Sequence, residues 1–259
     1  MRHRTRCQRR SGMVVLTGVI LVMAGTEMAQ AATKPPVVQM VTYRNTPTGR
    51  AYLCRPSGDG PFPVVIYHHG GFTPRIGGAP KETCQALARA GFIGLAPIRR
   101  QAIQLKGQLE DVEASIEYAK RLDGVDAERI GLIGFSRGGL LTLMAGTQRR
   151  DLKALVVMAP APGRGAIRRV LSRAREIRAP VLTLVAANDR RQADHVKIAR
   201  EVDRTLKSVG NQHRLIVYPA FGNDGHRMFF QVGDYWKDVQ KFLEQRLEKK
   251  TPSHPGSRR

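Results

Sequence analysis

Gly134-Phe135-Ser136-Arg137-Gly138 is the stretch that most constrains this chain, because it joins an apolar run, Arg129-Ile130-Gly131-Leu132-Ile133, to a helix-like run from Arg137 to Thr147. A serine at such a strand-to-helix turn is held in strained backbone. Glycines two positions to either side let the chain pass without a clashing Cβ. The helix N-terminus behind the serine offers N–H groups and a positive dipole end, so an oxyanion can be stabilised where it forms. Taken alone, the pattern also fits a small-residue turn in any α/β protein. Residues elsewhere in the chain decide between the two readings.

Two further residues follow in the order a serine-acid-histidine triad requires. Val181 to Ala186 is a continuous apolar strand that runs into Ala187-Asn188-Asp189, which puts a carboxylate at a strand's C-terminal end. Arg214 to Tyr218 alternates as another strand and leads through Phe221-Gly222-Asn223-Asp224-Gly225 to His226. That spacing predicts His226 in a flexible, glycine-flanked loop. His226 would take the proton of Ser136 and return it to the leaving group, while Asp189 fixes the ring tautomer and stabilises the imidazolium. A histidine in a polar loop is inert by itself; the elbow and Asp189 give it a role.

A fourth element is Val64 to Phe72, a buried strand entering the turn His68-His69-Gly70-Gly71-Phe72. Glycines there let backbone N–H groups face a substrate oxygen. Gly71 or Phe72 is the expected second donor of an oxyanion hole whose first donor is the N–H of Arg137. His69 is expected to brace the loop, and His68 to be a packed strand residue.

With these residues in place, the chain resembles an α/β-hydrolase of the dienelactone hydrolase-like type. That group grades into small esterases and the catalytic domains of prolyl oligopeptidase-like peptidases. The resemblance rests on HHGGF at 68–72, GFSRG at 134–138, AAND at 186–189 and GNDGH at 222–226, and it covers roughly residues 37–247. It implies ester-type acyl transfer. Dienelactone hydrolases proper use a cysteine nucleophile where this chain has Ser136, so dienelactone hydrolysis itself is not implied.

Strands and helices alternate along the chain. Val37 to Tyr43 and Arg50 to Arg55 read as an opening antiparallel pair, and apolar strands near residues 64–68, 93–96, 130–134, 154–159, 181–186 and 214–218 alternate with helical runs. Such a pattern predicts a doubly wound, mostly parallel sheet with helices on both faces and at most a small cap. Asp111, Glu113 and Glu117 fall in one helix and read as solvated surface, and Trp236 reads as helix packing.

The first 31 residues are expected to lie outside the fold. Met1 to Gly12 carries five arginines and no acid, Met13 to Gly25 is apolar, and Ala29-Gln30-Ala31 has the form of a cleavage site, which together read as a secretory signal peptide. An apolar core of 13 residues is short of the roughly 20 that span a bilayer, so stable membrane insertion after cleavage is not expected. A periplasmic or secreted bacterial protein is the expectation, with permanent anchoring as the alternative. Residues 32–250 then form one hydrolase domain, and 251–259 form a disordered basic tail. Cys54 and Cys84 are the cysteines left in the mature chain, either as a disulfide or as separate buried thiols. No Cys/His run has metal-ligand spacing and no glycine-rich phosphate loop occurs, so no metal and no cofactor is expected.

The whole chain carries a formal charge of +22, and the expected mature chain +18. A field of that size favours anionic ligands or surfaces but does not set a fold. The densest basic run, Arg164 to Arg178, has Ile167, Val170, Leu171, Ala174 and Ile177 at helical spacing. It reads either as a solvated helix face or as a basic lip that attracts acidic substrates, helped by Arg99, Arg100 and Arg137. Three functional classes follow. The leading one is a serine hydrolase acting on small-molecule esters, anionic ones included; the second is a serine peptidase; the third is a non-catalytic polyanion binder on the same scaffold. Expected export and the lack of aromatics interleaved with the basic runs weigh against nucleic acid as a partner.

Overall fold

The apolar runs become the central strands of one eight-stranded sheet, ordered β1-β2-β4-β3-β5-β6-β7-β8. The structure is a computed structural model that describes residues 36–248 apart from 47–48, 72–75, 101 and 103. The leader at 1–31, the tail at 251–259 and Phe72 lie outside the described residues.

β1 (Val38–Thr42) and β2 (Arg50–Cys54) form the predicted antiparallel pair, and β2 runs antiparallel to β4 (Ile93–Pro97). From there β3 (Phe62–His68), β5 (Val125–Phe135), β6 (Leu152–Met158), β7 (Val181–Ala186) and β8 (His213–Tyr218) continue in parallel. Both faces are covered, which is why the inner strands read as unbroken apolar segments. One core packs α2 (Gln108–Lys120) and α3 (Arg137–Gln148) on the sheet through Ile116, Leu140 and Leu143; the other packs α1 (Pro80–Arg89) and α6 (Trp236–Leu247) through Leu87 and Leu243. α5 (His195–Ser208) contributes to both cores. Among the described residues, no helix is long and apolar enough to cross a membrane.

Two expectations change and one open alternative is settled. The arginine-rich run is a cap built from α4 (Ala166–Leu171) between two single-turn 3-10 helices, because Gly163, Arg164 and Gly165 all have positive φ and stop a longer helix from starting. Its predicted apolar face is nonetheless buried. Asp111 is not solvated surface: it is 2% exposed and pairs with Arg44 and Arg100. Cys54 and Cys84 are joined as a disulfide with Cα atoms 5.6 Å apart, tying β2 to α1.

Candidate active site

The C-terminal ends of the parallel strands carry the site. β5 ends at Phe135 and α3 starts at Arg137, so Ser136 makes the turn alone with φ 52° and ψ −112°. A positive φ at a non-glycine residue is strained and persists only where neighbours fix it. Here the Ser136 N–H donates to Met158 O at 2.8 Å, and its carbonyl accepts from Ala161 N at 2.9 Å. A Cβ at Gly138 would fall on the carbonyl of His68, and one at Gly134 on that of Gly138. The GxSxG spacing is thus enforced by backbone contact, and Gly138→Ala would force β3 and α3 apart.

Asp189 follows β7 and is fully buried. His226 Nδ1 lies 2.9 and 3.1 Å from the two oxygens of Asp189. Because an ionised carboxylate only accepts, this contact puts the ring hydrogen on Nδ1 and leaves Nε2 as an acceptor. His226 does not sit in the flexible loop that its glycine neighbours suggest. It lies in a 3-10 helix, Gly225–Phe230, whose cap is Asp224, and the Asp224 carboxylate accepts from His226 N at 3.2 Å. Gly225 is required because a Cβ there would meet Asp189 N at 2.6 Å. Asn188 ties the two loops by accepting from Phe221 N at 2.9 Å and donating to Gly222 O at 3.0 Å.

The ring of His226 is clamped between Phe135, with centroids 4.6 Å apart, and His195, with centroids 4.4 Å apart. Sequence reasoning missed His195. It is the first residue of α5, buried behind the cap residue Asp194, and only the fold brings it to the site. Its Nδ1 bonds Pro160 O at 3.1 Å, and its Nε2 is buried without a hydrogen-bond partner among the described residues. Burial, then the neighbouring His226, lowers the pKa of His195.

On the opposite side, Gly70 and Gly77 exchange backbone hydrogen bonds of 2.8 and 3.1 Å that close a loop, and Gly71 at φ 77° faces the cavity. His69 braces this turn: its Nδ1 lies 2.6 Å from Gly70 O, and its Nε2 accepts from Arg99 N at 3.2 Å. Burial, then the Arg99 charge, pushes the His69 pKa down to about 3, so the ring is neutral as those bonds require. His68 is fully buried in the strand, with its pKa well below the ordinary value.

The cavity above Ser136 measures about 1320 Å³ and is lined by Ser136, His226, His195 and Gly71. Arg137, Arg164, Arg169 and Lys106 give it a cationic wall, while Ile76, Leu105, Leu140 and Phe230 are apolar; among the described residues no Asp or Glu lines it. Arg137, at the head of α3, donates from Nη1 to Ala102 O at 2.7 Å, and burial followed by Arg164 lowers its pKa. Arg99 and Arg100 correct the expected substrate contacts, for neither lines the cavity. Arg99 is 2% exposed and donates from Nη2 to His69 O at 2.5 Å. The Arg100 guanidinium is held by Asp111 at 2.8 to 3.0 Å.

Comparison with known proteins agrees with this architecture. Residues 50–247 match the dienelactone hydrolase family. The chain belongs to that family. A candidate carboxymethylenebutenolidase of Methylorubrum extorquens is 24% identical over 227 residues, covering 75% of this chain and 76% of its own. Among solved structures, a candidate dienelactone hydrolase of Klebsiella pneumoniae superposes with a TM-score of 0.63 at 20% identity, over 82% of this chain and 100% of its own. The acylaminoacyl peptidase of Pyrococcus horikoshii gives 0.68 at 19% identity, over 85% of this chain and 43% of its own. At such identities the structures establish the α/β-hydrolase fold alone, and family membership makes the chain a dienelactone hydrolase-like hydrolase.

Proposed function

We propose that this protein is an exported serine hydrolase that cleaves carboxylic esters of small substrates through an acyl-enzyme intermediate. The observation that carries the reading is the strained Ser136 opening into the same cavity as a His226 whose Nδ1 is locked on buried Asp189. In this mechanism His226 Nε2 accepts the Ser136 proton as Oγ attacks the acyl carbon. The N–H groups of Arg137 and Gly71 hold the oxyanion, worth roughly 3 kcal/mol for each donor. The imidazolium, stabilised by Asp189, gives its proton to the departing alcohol, and water repeats the sequence to release the acid.

Anionic esters are the favoured substrates. Four cationic side chains and no carboxylate among the described lining residues make a field that attracts acids. Arg164 also holds φ at 50° between two glycines, a conformation that costs about 1 kcal/mol and is expected where a side chain is aimed for function. Export is supported by the leader and by the Cys54–Cys84 disulfide, a bond that persists in oxidising compartments. The peptidase reading draws on the likeness to acylaminoacyl peptidase, but this chain spans only 43% of that protein.

Labelling by a fluorophosphonate tests the mechanism, since it needs an activated serine. A panel of p-nitrophenyl esters run beside peptide p-nitroanilides separates ester from peptide preference. Absence of labelling at Ser136 leaves the polyanion binder as the surviving class.

A further inference from the structure

Asp189 and His195 come from one segment and His226 from another, yet each presents one ligand atom and these atoms all lie within 4.8 Å of one another. His195 sets this group apart from an ordinary triad. Its Nδ1 lies within hydrogen-bond distance of Pro160 O, an acceptor, so the ring hydrogen stays there and Nε2 keeps a bare lone pair. That Nε2 is buried without a hydrogen-bond partner among the described residues and stands 4.0 Å from Asp189 Oδ1, an acceptor facing an acceptor. A buried polar atom left unpaired is costly, and a bare lone pair facing a carboxylate oxygen attracts a positive charge between them. Two imidazoles and a carboxylate are a donor set suited to a borderline-soft divalent ion such as Zn²⁺.

We infer that Asp189, His195 and His226 form an inhibitory transition-metal site superposed on the proposed triad. The inference rests on that triad only for its consequence for activity. Tetrahedral ligands about 2.0–2.2 Å from zinc lie roughly 3.3 Å from one another. His226 Nδ1 and Asp189 already stand at 2.9 to 3.1 Å; His195 Nε2 must close in on Asp189 from 4.0 Å, and its ring, packed 4.4 Å from that of His226 at 31°, must turn so that both lone pairs meet at the ion. Both histidines line the cavity, which provides the entry path and room for a water as fourth ligand. Coordination at Nδ1 displaces the His226 hydrogen to solvent, and the ring takes one from solvent at Nε2, with no net change of protons. Nε2 then has no lone pair for the Ser136 hydroxyl, so attack on an ester stops. Removing the ion restores the Nδ1 tautomer and the activity.

Two readouts test this, both on the expected mature chain after chelator treatment. In the first, Co²⁺ is titrated into the Ser136→Ala protein, which keeps all three ligands, and the visible spectrum and calorimetry are recorded. A 1:1 site with a tetrahedral band is expected. The His195→Gln change in that background should weaken it at least about tenfold, the lower end of what loss of even an outer-shell partner costs. In the second, Zn²⁺ should slow fluorophosphonate labelling of Ser136 and EDTA should restore it. His195→Gln or His195→Phe should abolish the slowing, each compared with its own metal-free rate. No tetrahedral band in the Ser136→Ala protein, or equal affinity with and without His195, overturns the site without recourse to a variant's folding or activity. Metal-free enzyme that does not label at Ser136 overturns the hydrolase reading instead, while the cobalt arm still decides the metal site.

Discussion

Two groups of arginines flank Ser136, and they have opposite fates. Arg99 and Arg100 follow β4 and are held by the protein itself, one gripping the carbonyl of His69 and the other the carboxylate of Asp111. Arg137, Arg164 and Arg169 come from the head of α3 and from the cap, and all three reach the cavity. Residue type is the same in both groups, and Arg137 too has a protein acceptor in Ala102 O; what differs is whether the side chain ends inside the scaffold or at the cavity wall. Arg99 braces the loop that carries Gly71 and Arg100 is tied to α2, whereas the second group leaves positive charge facing the space above the serine. A basic composition therefore divides, by place in the fold, into charges held within the scaffold and charges that face the cavity.

The largest effect is expected at the serine between the two groups. Ser136→Ala should abolish ester turnover with the melting temperature nearly unchanged, and Asp189→Asn should lower kcat by about 10⁴ through loss of the useful tautomer. Retained turnover of p-nitrophenyl acetate by Ser136→Ala would remove the reason for comparing the groups at all. Next comes Arg99→Met, which leaves the buried His69 carbonyl without that donor and frees the loop that carries Gly71. A loss of about 1–3 kcal/mol in stability and about 100-fold in kcat is expected, read by calorimetry and by kcat against KM. A change in KM for anionic esters alone would instead return Arg99 to substrate binding.

A smaller and more selective effect is expected from Arg164→Gln with Arg169→Gln. KM for a carboxylate-bearing ester should rise about tenfold, a loss of about 1.4 kcal/mol, with the neutral analogue and the melt unaffected. Rising salt should act likewise on the anionic ester, since the Debye length is about 8 Å at physiological ionic strength. Arg168→Gln with Arg173→Gln is the control, because Arg168 is not among the lining residues and Arg173 pairs with Glu176. Parallel salt curves for the two esters would show that the cap is a solvated face.

The smallest effect concerns pH. His69 has its pKa lowered from 6.5 to about 3, so between those values the unfolded chain binds the proton that the folded loop refuses. Stability should therefore fall as pH drops from about 6.5 toward 3, and His69→Gln should flatten part of that slope. His68 and His195 shift in the same direction and add to the slope, and Asp151 and Glu176, whose carboxyl pKa values are lowered, add to it at the acidic end. A melting temperature independent of pH over that range would mean that the His69 ring is not held neutral.

Much of the path was legible because its signals are local. α3 and β7 begin and end where glycine spacing and apolar runs place them, and the parallel order follows from strands that are apolar throughout. The miss at His226 has a local cause. Gly222 and Gly225 suggest mobility, but Gly225 is there so that Asp189 can come close, and Asp224 turns the segment into a 3-10 helix. Arg99 and Asp111 misled because charged residues are usually solvated. Their burial depends on partners 30 and 67 positions away, Arg99 on His69 and Asp111 on Arg44.

The sequence by itself determined the family, the sheet order's α/β character, and the candidate nucleophile, acid and base, since each of these follows from short patterns tied to strand ends. Tertiary structure alone decided which arginines face the cavity, that Cys54 meets Cys84, and that His195 lies on His226. The reason is reach. A strand, a turn or a cap is set by residues within a few positions. A guanidinium, a thiol or an imidazole takes its role from whichever acceptor or partner the folded chain brings within about 3 to 4 Å.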